Sequence, residues 1–380
     1  MIPAAKDALH EMLQTGDMFR YHSDDAPVSL LEAEFAELLG SRYAVAVSSC
    51  SAALFLSLRA LQLPVDAKVL IPAFTFAAVP SAVVHANCRP VLCEIDETLR
   101  LDMGDFEAKL AGCQAVIISH MRGHTSDMDA IMTLCDAARV PVIEDAAHSL
   151  GTTWDGRNIG TLGRIGCFSF QSYKLVNGGE GGILITDDAD IAARAVIMSG
   201  AYESNWSKHP AMGDELGRYE MELPLYNLRM SNLAAAVIRP QLPEVADRAA
   251  QGLANHDALA AVICAHPSMH VPSALAPEKR APDSIQFLLD GLNEAQIQAL
   301  ITAANERGLK LSVFGLSQGN ARAFWNWRFL GEPPALPKTR AALMRACDLR
   351  LPVDLSADEV ARIGRRLIEA IDAVLERQAA

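Results

Sequence analysis

The chain has 380 residues, of which 51% are hydrophobic and 21% are charged, so it can bury a large core and is not a disordered chain. It carries 33 Lys and Arg against 46 Asp and Glu, and the net charge of -13 argues against nucleic acids and anionic membranes as partners. No apolar run approaches the ~20 residues that span a bilayer. The first twenty residues show no secretion signal and the eight cysteines form no CxxC pair, so we expect a cytoplasmic protein with reduced cysteines.

Short apolar segments alternate with longer segments of helical periodicity over the first half of the chain. The predicted strands are 44–49, 68–74, 90–96, 115–120, 140–146, 166–171 and 181–187, and the predicted helices between them include 52–61, 76–87, 128–139 and 189–199. Continuous apolar runs are typical of strands that are buried on both faces. The pattern predicts an α/β fold with a mostly parallel, about seven-stranded sheet covered by helices on both faces.

The second half of the chain has a different character. Segment 200–223 is rich in polar residues, Gly and aromatics, which predicts a functional loop that acts as a lid or as a dimer contact. Helices are predicted at 242–262 and 293–307, and the capping-box pair Ser356 and Glu359 predicts the start of a last helix. We therefore expect a large domain at 1–240, with an N-terminal arm at 1–20, and a smaller α+β domain at 241–380.

Two candidate catalytic residues follow predicted strands. Lys174 lies after the strand at 166–171 and just before a Gly-rich run, 178–182, that has no P-loop ending. It could be a solvated surface lysine, or a Schiff-base lysine whose pKa is lowered by burial. Asp145 ends the strand at 140–146. It could be a helix N-cap, or the carboxylate that keeps the pyridine nitrogen of pyridoxal phosphate protonated.

Two further strand ends carry residues suited to a cofactor. The hydroxyl-rich segment 48–54 runs from a strand into a helix, so it could hold plain helix caps or a phosphate at the helix N-terminus. Phe76 follows the next strand and could be a core residue or a ring stacked on a planar cofactor. A lysine, a carboxylate, a phosphate cup and an aromatic ring at the ends of neighbouring strands together predict a pyridoxal-phosphate enzyme.

The sequence resembles the DegT/StrS family of pyridoxal-phosphate-dependent sugar aminotransferases, which have the aspartate-aminotransferase-like fold. The resemblance runs from about residue 30 to 241 and continues more weakly to about 373. The matching motifs are Leu38-Leu-Gly40, Ile71-Pro-Ala-Phe-Thr-Phe76, His120-Met-Arg-Gly123, Glu144-Asp-Ala-Ala-His148, Ser169-Phe-x-x-x-Lys174, Gly179-Glu-Gly-Gly182 and Tyr226-Asn-Leu-Arg-Met230.

The resemblance implies a role for each matching residue. Lys174 corresponds to the lysine that forms the Schiff base, and Asp145 to the partner of the pyridine nitrogen. The remaining matches are His148 near the phenolic oxygen, Ser169 on the phosphate, Cys50 and Ser51 in the phosphate cradle, Phe76 on the ring, and Asn227, which reaches the phosphate of the neighbouring subunit. The family's homodimer with shared active sites is therefore expected here.

Some positions depart from the family pattern. Cys50 stands where the family usually has Gly, and Arg122 stands where an aromatic residue is common. Segment 312–328 replaces the family's His-Tyr-Pro motif, so a standard nucleotide-sugar substrate is less secure. Three arginines, Arg122, Arg229 and Arg328, could hold a carboxylate or phosphate of the substrate, or form surface ion pairs. No metal is expected, because His120 and His124 straddle a strand end without further ligands.

The expected function is transfer of an amino group from L-glutamate or L-glutamine to a keto-sugar, keto-cyclitol or related carbonyl acceptor. Retention of Lys174 argues against the family's dehydratases, in which His replaces this lysine. Two alternatives remain open at this point: a cofactor-binding sensor or regulatory protein, and a pyridoxal-phosphate enzyme of another reaction type that acts on a non-sugar substrate.

Overall fold

Strands and helices alternate along the first half of the chain in a computed structural model that describes residues 2–211 and 214–379. The strands are β1 (Tyr43–Val47), β2 (Lys68–Pro72), β3 (Arg89–Cys93), β4 (Ala115–Ser119), β5 (Val142–Asp145), β6 (Thr153–Trp154), β7 (Arg157–Asn158), β8 (Ile165–Ser169), β9 (Gly182–Thr186), β10 (Met269–His270), β11 (Glu278–Lys279), β12 (Ser284–Leu289), β13 (Ser312–Val313) and β14 (Ala346–Arg350). The α-helices are α1 (Pro3–Thr15), α2 (Pro27–Leu39), α3 (Cys50–Ala60), α4 (Ala78–His85), α5 (Met103–Leu110), α6 (Met128–Ala138), α7 (Ala189–Gly200), α8 (Asn232–Ile238), α9 (Val245–Cys264), α10 (Glu294–Glu306), α11 (Pro337–Leu343) and α12 (Ala357–Ala379).

The central sheet has, within the described residues, seven strands in the order β1-β9-β8-β5-β4-β2-β3. The pairs from β8 to β3 are parallel, and β9 is antiparallel to both of its neighbours, β1 and β8. The predicted α/β fold with a mostly parallel, about seven-stranded sheet is therefore confirmed. The carboxyl ends of β2, β4, β5 and β8 meet at one edge, which is where an α/β sheet binds its ligands.

Both faces of this sheet are buried, which explains its continuous apolar runs. Along β4, Val116 and Ile118 pack with α2, α5 and α6, whereas Ala115 and Ile117 pack with α3, α4 and α7 on the other face. A strand residue alternates between faces at every step, so only a strand covered on both sides buries all of its side chains.

The C-terminal part contains a second sheet in the order β10-β12-β14-β13, with antiparallel pairing. Helices α9, α10 and α12 supply the apolar side chains that cover it. The backbone N–H of Ser356 donates to Glu359 Oε2 at 2.8 Å, and the backbone N–H of Glu359 donates to Ser356 Oγ at 3.4 Å. These reciprocal hydrogen bonds are the capping box that the sequence predicts at the start of α12.

A buried cluster of charges joins the C-terminal part to the central sheet. The carboxylate of Glu278, on β11, accepts from Arg100 Nη2 at 2.9 Å, from Arg280 Nε at 3.1 Å and from the backbone N–H of Thr125 at 2.8 Å. Burial raises the pKa of Glu278, but Arg280 and Arg100 lower it more, so it stays below its usual value. The division of the chain at 240 remains a prediction, since Val245 of α9 also packs in a core of the central sheet.

Within residues 2–211 and 214–379, no helix is both long and apolar enough to cross a membrane.

Candidate active site

Asp145 ends β5, and hydrogen-bond donors surround its buried carboxylate. Ser119, at the end of β4, donates through Oγ to Asp145 Oδ2 at 2.8 Å and accepts in turn from Thr75 Oγ1 at 2.8 Å. The backbone N–H of Ala147 and the thiol of Cys50 donate to Oδ1 at 3.2 Å and 3.8 Å. Burial raises the pKa of the Cys50 thiol well above its usual value, so it remains a donor. These contacts fix the carboxylate in one orientation.

Lys174 lies in the turn that follows β8, and its amine is half-buried. Burial lowers the pKa of Lys174 from the ordinary 10.5 to about 8, although the carboxylates of Asp283 and Asp145 oppose the shift. A lysine of this kind has a substantial unprotonated fraction near neutral pH. The amine can therefore act as a nucleophile and can also take up and release a proton.

His148 is the direct neighbour of this amine. Nζ of Lys174 lies 2.9 Å from Nε2 and 3.2 Å from Nδ1 of the imidazole. Burial lowers the pKa of His148 well below its ordinary value, and the positive charges of Lys174 and of nearby arginines lower it further. The imidazole is thus neutral at pH 7 and accepts a hydrogen bond from Nζ, which orients the amine.

Helix α3 begins beside Asp145 and offers free backbone donors. Ser49 caps it, with Oγ accepting from the backbone N–H of Ala52 at 3.1 Å. The backbone N–H groups of Cys50 and Ser51 have no acceptor within the described residues. Gly182 of β9 packs directly against this turn, because a Cβ there would lie 2.3 Å from Cys50 N. The close approach holds the helix N-terminus in place.

We expect Gly182→Ala to destabilise the protein by about 1–3 kcal/mol, because the new methyl group cannot fit against the Ser49–Cys50 backbone. Urea unfolding measures this loss, and titration with pyridoxal phosphate should show weaker binding. Gly104→Ala is the matched control, since that Cβ would meet only Asp102 Oδ1 at 3.4 Å. Equal stability of the two variants would contradict the role given to Gly182.

Phe76 lies beyond β2 with 45% of its surface exposed, so it is available to a ligand. The guanidinium of Arg322 lies 5.6 Å from the centre of its ring. Arg322 and Arg350 also lower the pKa of His148, which places both near the site. The sequence did not predict these two arginines, or Asp283 and Asp348, as site residues, because they come from the C-terminal part and carry no local motif.

The other sequence-predicted residues fall into two groups. Arg122 lies at the site, where its Nη2 donates to Asp348 Oδ2 at 2.5 Å, and its backbone has a left-handed φ of 57°. Ser169 borders the same small cavity as Lys174. Arg229 instead donates to the carbonyl of Gly200 at 3.0 Å, and the remaining predicted residues, Ser51, Asn227 and Arg328, are exposed.

Cavity size does not locate this site. The cavity that Lys174, His148 and Ser169 line holds about 10 Å³, which is room for about one water molecule. A cavity of about 950 Å³ lies instead between α1, α2 and α8 and contains none of the candidate residues. We therefore define the site by the chemistry of its side chains, at an open edge of the sheet.

His120 and His124 have partners of their own. His120 Nε2 lies 3.1 Å from Glu144 Oε2, and His124 Nε2 lies 3.0 Å from Gln286 Oε1. The described residues contain no group of three His, Cys, Asp or Glu side chains that could hold a metal ion.

Segment 200–223 forms hydrogen bonds with residues of the N-terminal half of the chain. His209 Nε2 donates to the carbonyl of Ala44 at 2.8 Å, and Lys208 Nζ donates to the carbonyl of Tyr21 at 2.7 Å. Residues 212 and 213 lie outside the described residues. The choice between a lid and a dimer contact stays a prediction.

The arrangement fits the requirements of pyridoxal phosphate. The cofactor needs an amine for its aldehyde, an anion for its ring nitrogen and donors for its phosphate. Lys174 supplies an amine with a lowered pKa, and Asp145 supplies a carboxylate held by donors. The free amides of Cys50 and Ser51 lie at a helix N-terminus next to that carboxylate.

Comparison with known proteins agrees with this chemistry. Residues 4–368 match the DegT/DnrJ/EryC1/StrS aminotransferase family. The spore coat polysaccharide biosynthesis protein SpsC of Bacillus subtilis (strain 168) is 35% identical over 246 residues, 64% of this chain and 62% of SpsC. The chain spans 62% and 53% of the lengths of two curated relatives that it matches.

Solved structures share the fold over nearly the whole chain. An aminotransferase from Psychrobacter cryohalolentis has a TM-score of 0.85 at 25% identity, covering 99% of this chain and 98% of that one. The PLP-form of the putative sugar aminotransferase Spr1654 from Streptococcus pneumoniae has a TM-score of 0.85 at 19% identity, covering 98% and 97%. The family expected from the sequence is thus confirmed. The chain belongs to the DegT/DnrJ/EryC1/StrS aminotransferase family, whose enzymes use pyridoxal phosphate.

Proposed function

We propose that the protein is a pyridoxal-phosphate-dependent aminotransferase that moves an amino group from L-glutamate or L-glutamine to the keto group of a sugar, a cyclitol or a related compound. The observation that carries this proposal is the Lys174 amine, whose pKa is lowered to about 8 and which lies 2.9 Å from the neutral imidazole of His148. Family membership and the name of SpsC, which refers to polysaccharide biosynthesis, support a sugar-related acceptor.

The residues that would hold the cofactor follow from the geometry of the site. The amides of Cys50 and Ser51 and the hydroxyl of Ser169 would bind the phosphate, Phe76 would lie against the ring, and Asp145 would face the ring nitrogen. When bound, pyridoxal phosphate supplies an aldehyde that condenses with amines and a conjugated ring that accepts the electron pair of a broken C–H bond.

Lys174 is the group that moves protons in this proposal. Its free Nζ takes the proton from the Cα of the amino donor, because an amine with a pKa of about 8 both accepts and releases a proton near neutral pH. His148 accepts a hydrogen bond from Nζ and keeps it aimed at the site. The hydrogen bonds that the Asp145 carboxylate accepts from Ser119 and from the backbone N–H of Ala147 would hold it in position toward the ring nitrogen.

The test is the visible absorbance of the cofactor-loaded protein before and after addition of each donor without an acceptor. We expect a change with L-glutamate or L-glutamine that 2-oxoglutarate, or the corresponding keto acid of glutamine, reverses. A spectrum that no amino donor alters would reject amino transfer in favour of a sensor or another reaction type.

The pH dependence of cofactor loading tests the state of Lys174. Only the neutral amine attacks an aldehyde, so the rate at which the ligand-free protein takes up pyridoxal phosphate should rise about tenfold per pH unit below pH 8 and level off above it. Stopped-flow absorbance between pH 6 and about pH 10 measures this profile. A rate that still rises at pH 10 would show an ordinary lysine and contradict the lowered pKa.

We also propose a homodimer in which Asn227 completes the site of the partner. Asn227 is exposed, and large apolar side chains are exposed nearby in the chain, at Met221 and Leu225, and beside Lys174, at Tyr173. Exposed apolar groups of this kind mark surfaces that bind other proteins. We expect light scattering to give twice the chain mass of 40.9 kDa.

Mixed dimers test the sharing of sites. We expect low activity from each of two variants, Lys174→Ala and Asn227→Asp. In the second, the new carboxylate would repel the phosphate of the cofactor. When the two variants are unfolded, mixed and refolded, each mixed dimer should contain one site with both native residues, so activity should reappear. The same treatment of either variant alone is the control. No recovery in a mixture that demonstrably contains mixed dimers would reject sites shared in this way.

A further inference from the structure

Arg322 is a partly buried cation for which the described residues provide no acidic hydrogen-bond partner. Its Nε is buried and has no partner among the described residues, and no side-chain hydrogen bond or ion pair is found for this guanidinium there. Its guanidinium lies 5.6 Å from the centre of the Phe76 ring, a distance typical of cation–π contact. The planar guanidinium of Arg322 therefore lies over the ring of Phe76, just beyond the carboxyl end of β2. Its N–H donors make no hydrogen bond to the described residues.

The two neighbouring arginines differ from Arg322 because each has an acid of its own. Arg122 donates to Asp348 at 2.5 Å, and Arg350 donates to Asp283 at 3.1 Å. Burial lowers the pKa of Arg322 to about 10, and the charges of Arg122 and Arg350 contribute to this shift. The carboxylate of Asp348 opposes this shift, but among the three arginines Arg322 is the one that makes no ion pair within the described residues.

The backbone around Arg322 is held firmly. Its N–H donates to Asn320 Oδ1 at 2.9 Å, and Asn326 Nδ2 donates to the carbonyl of Asn320 at 3.0 Å. Ala323 forms an antiparallel bridge with Phe74, which fastens the loop to the end of β2. Preorganised donors bind a ligand at a smaller entropic cost than mobile ones.

We propose that Arg322 binds an oxyanion of the substrate, and that the keto acceptor is therefore an acidic molecule that carries a carboxylate or a phosphate. The inference rests on the proposed amino transfer, in which donor and acceptor occupy the same site in turn. The amino donor itself carries a carboxylate. A neutral acceptor would leave this partly buried guanidinium without an anion, and its buried Nε without an acceptor, at every second half-reaction, whereas an acidic acceptor would pair with it in both.

The guanidinium geometry explains why this chain uses arginine at the site. Its planar fork matches the two oxygens of a carboxylate or phosphate, and the face that lies on Phe76 leaves the edge donors free.

The test compares the cofactor-loaded wild type with Arg322→Met, Arg322→Lys and the surface control Arg362→Met, which removes a half-exposed arginine of α12. Binding of glutarate, an unreactive dicarboxylate, and of inorganic phosphate is measured by thermal stabilisation, which needs no turnover. We expect the Kd of one of these anions to rise on the order of 100-fold in Arg322→Met and less in Arg322→Lys. Which anion responds identifies carboxylate or phosphate as the acidic group.

Acceptor specificity gives the second measurement. For the wild type, kcat/KM for an acidic keto acceptor should exceed kcat/KM for a neutral keto-cyclitol. The substitution Arg322→Met should lower only the kcat/KM for the acidic acceptor. Unchanged binding of both anions in Arg322→Met, or loss of the cofactor from this variant with unchanged anion binding, would overturn the proposal. If the wild type shows no half-reaction, amino transfer fails, but the anion titrations still decide the role of Arg322.

Discussion

Replacing Lys174 by alanine is expected to lower the rate of amino transfer about 10⁴-fold or more, because the variant would lose both roles that we propose for this lysine, nucleophile and proton carrier. The fold should survive, since the side chain is half-buried beside a cavity of about 10 Å³ and, among the described residues, makes its side-chain hydrogen bonds only to His148. Single-turnover absorbance with the better amino donor measures the loss.

Three further variants make this prediction specific. Lys174→Arg keeps the charge but cannot deliver a proton at neutral pH, so it should be as inactive as the alanine variant. Added methylamine should restore part of the rate in Lys174→Ala, because a free amine can replace the missing base. The exposed Lys310→Ala is the control and should retain full activity. More than about one tenth of wild-type activity in Lys174→Ala would contradict the assignment.

Asp145→Asn is expected to lower the rate on the order of 10³-fold, because it would remove the negative charge that we propose stabilises the protonated ring nitrogen. Asparagine nearly preserves the shape of the side chain and can still accept from Ser119, whose Oγ lies 2.8 Å from the carboxylate. The loss should therefore appear in the rate and in the cofactor spectrum rather than in the folding stability.

Ser119→Ala gives a graded comparison for Asp145. It removes one donor and breaks the link to Thr75, so we expect a smaller loss, on the order of tenfold. Asp354→Asn, a change at an exposed aspartate, is the matched control. Asp145→Asn protein that binds the cofactor and reacts at the wild-type rate would show that this carboxylate does not face the ring nitrogen.

The fold was predictable because its strands are buried on both faces. A short, continuous apolar run such as 115–120, with helical segments before and after it, is typical of a strand covered by helices, and β4 is found at Ala115–Ser119. Helix ends were less predictable. The predicted helix at 76–87 spans only Ala78–His85, with Ala77 as its N-cap and no side-chain hydrogen bond at that cap.

The candidate site could be predicted from the sequence only where its residues follow strands. Lys174 lies in the turn after β8, which ends at Ser169, and Asp145 is the last residue of β5, so the rule that ligands bind at carboxyl ends of strands points to both. Arg322 and Asp348 reach the same place from the C-terminal part, and no local pattern signals a contact between residues more than a hundred positions apart. Their roles depend on tertiary packing, which a single sequence does not display.

The most direct test of amino transfer is the yield of keto acid from L-glutamate or L-glutamine when no acceptor is present. An aminotransferase must stop after one half-reaction, so the cofactor-loaded protein should release about one equivalent of keto acid per chain and then none until an acceptor is added. Lys174→Ala should release none. Continued release without an acceptor, or no release with either donor, would contradict the account.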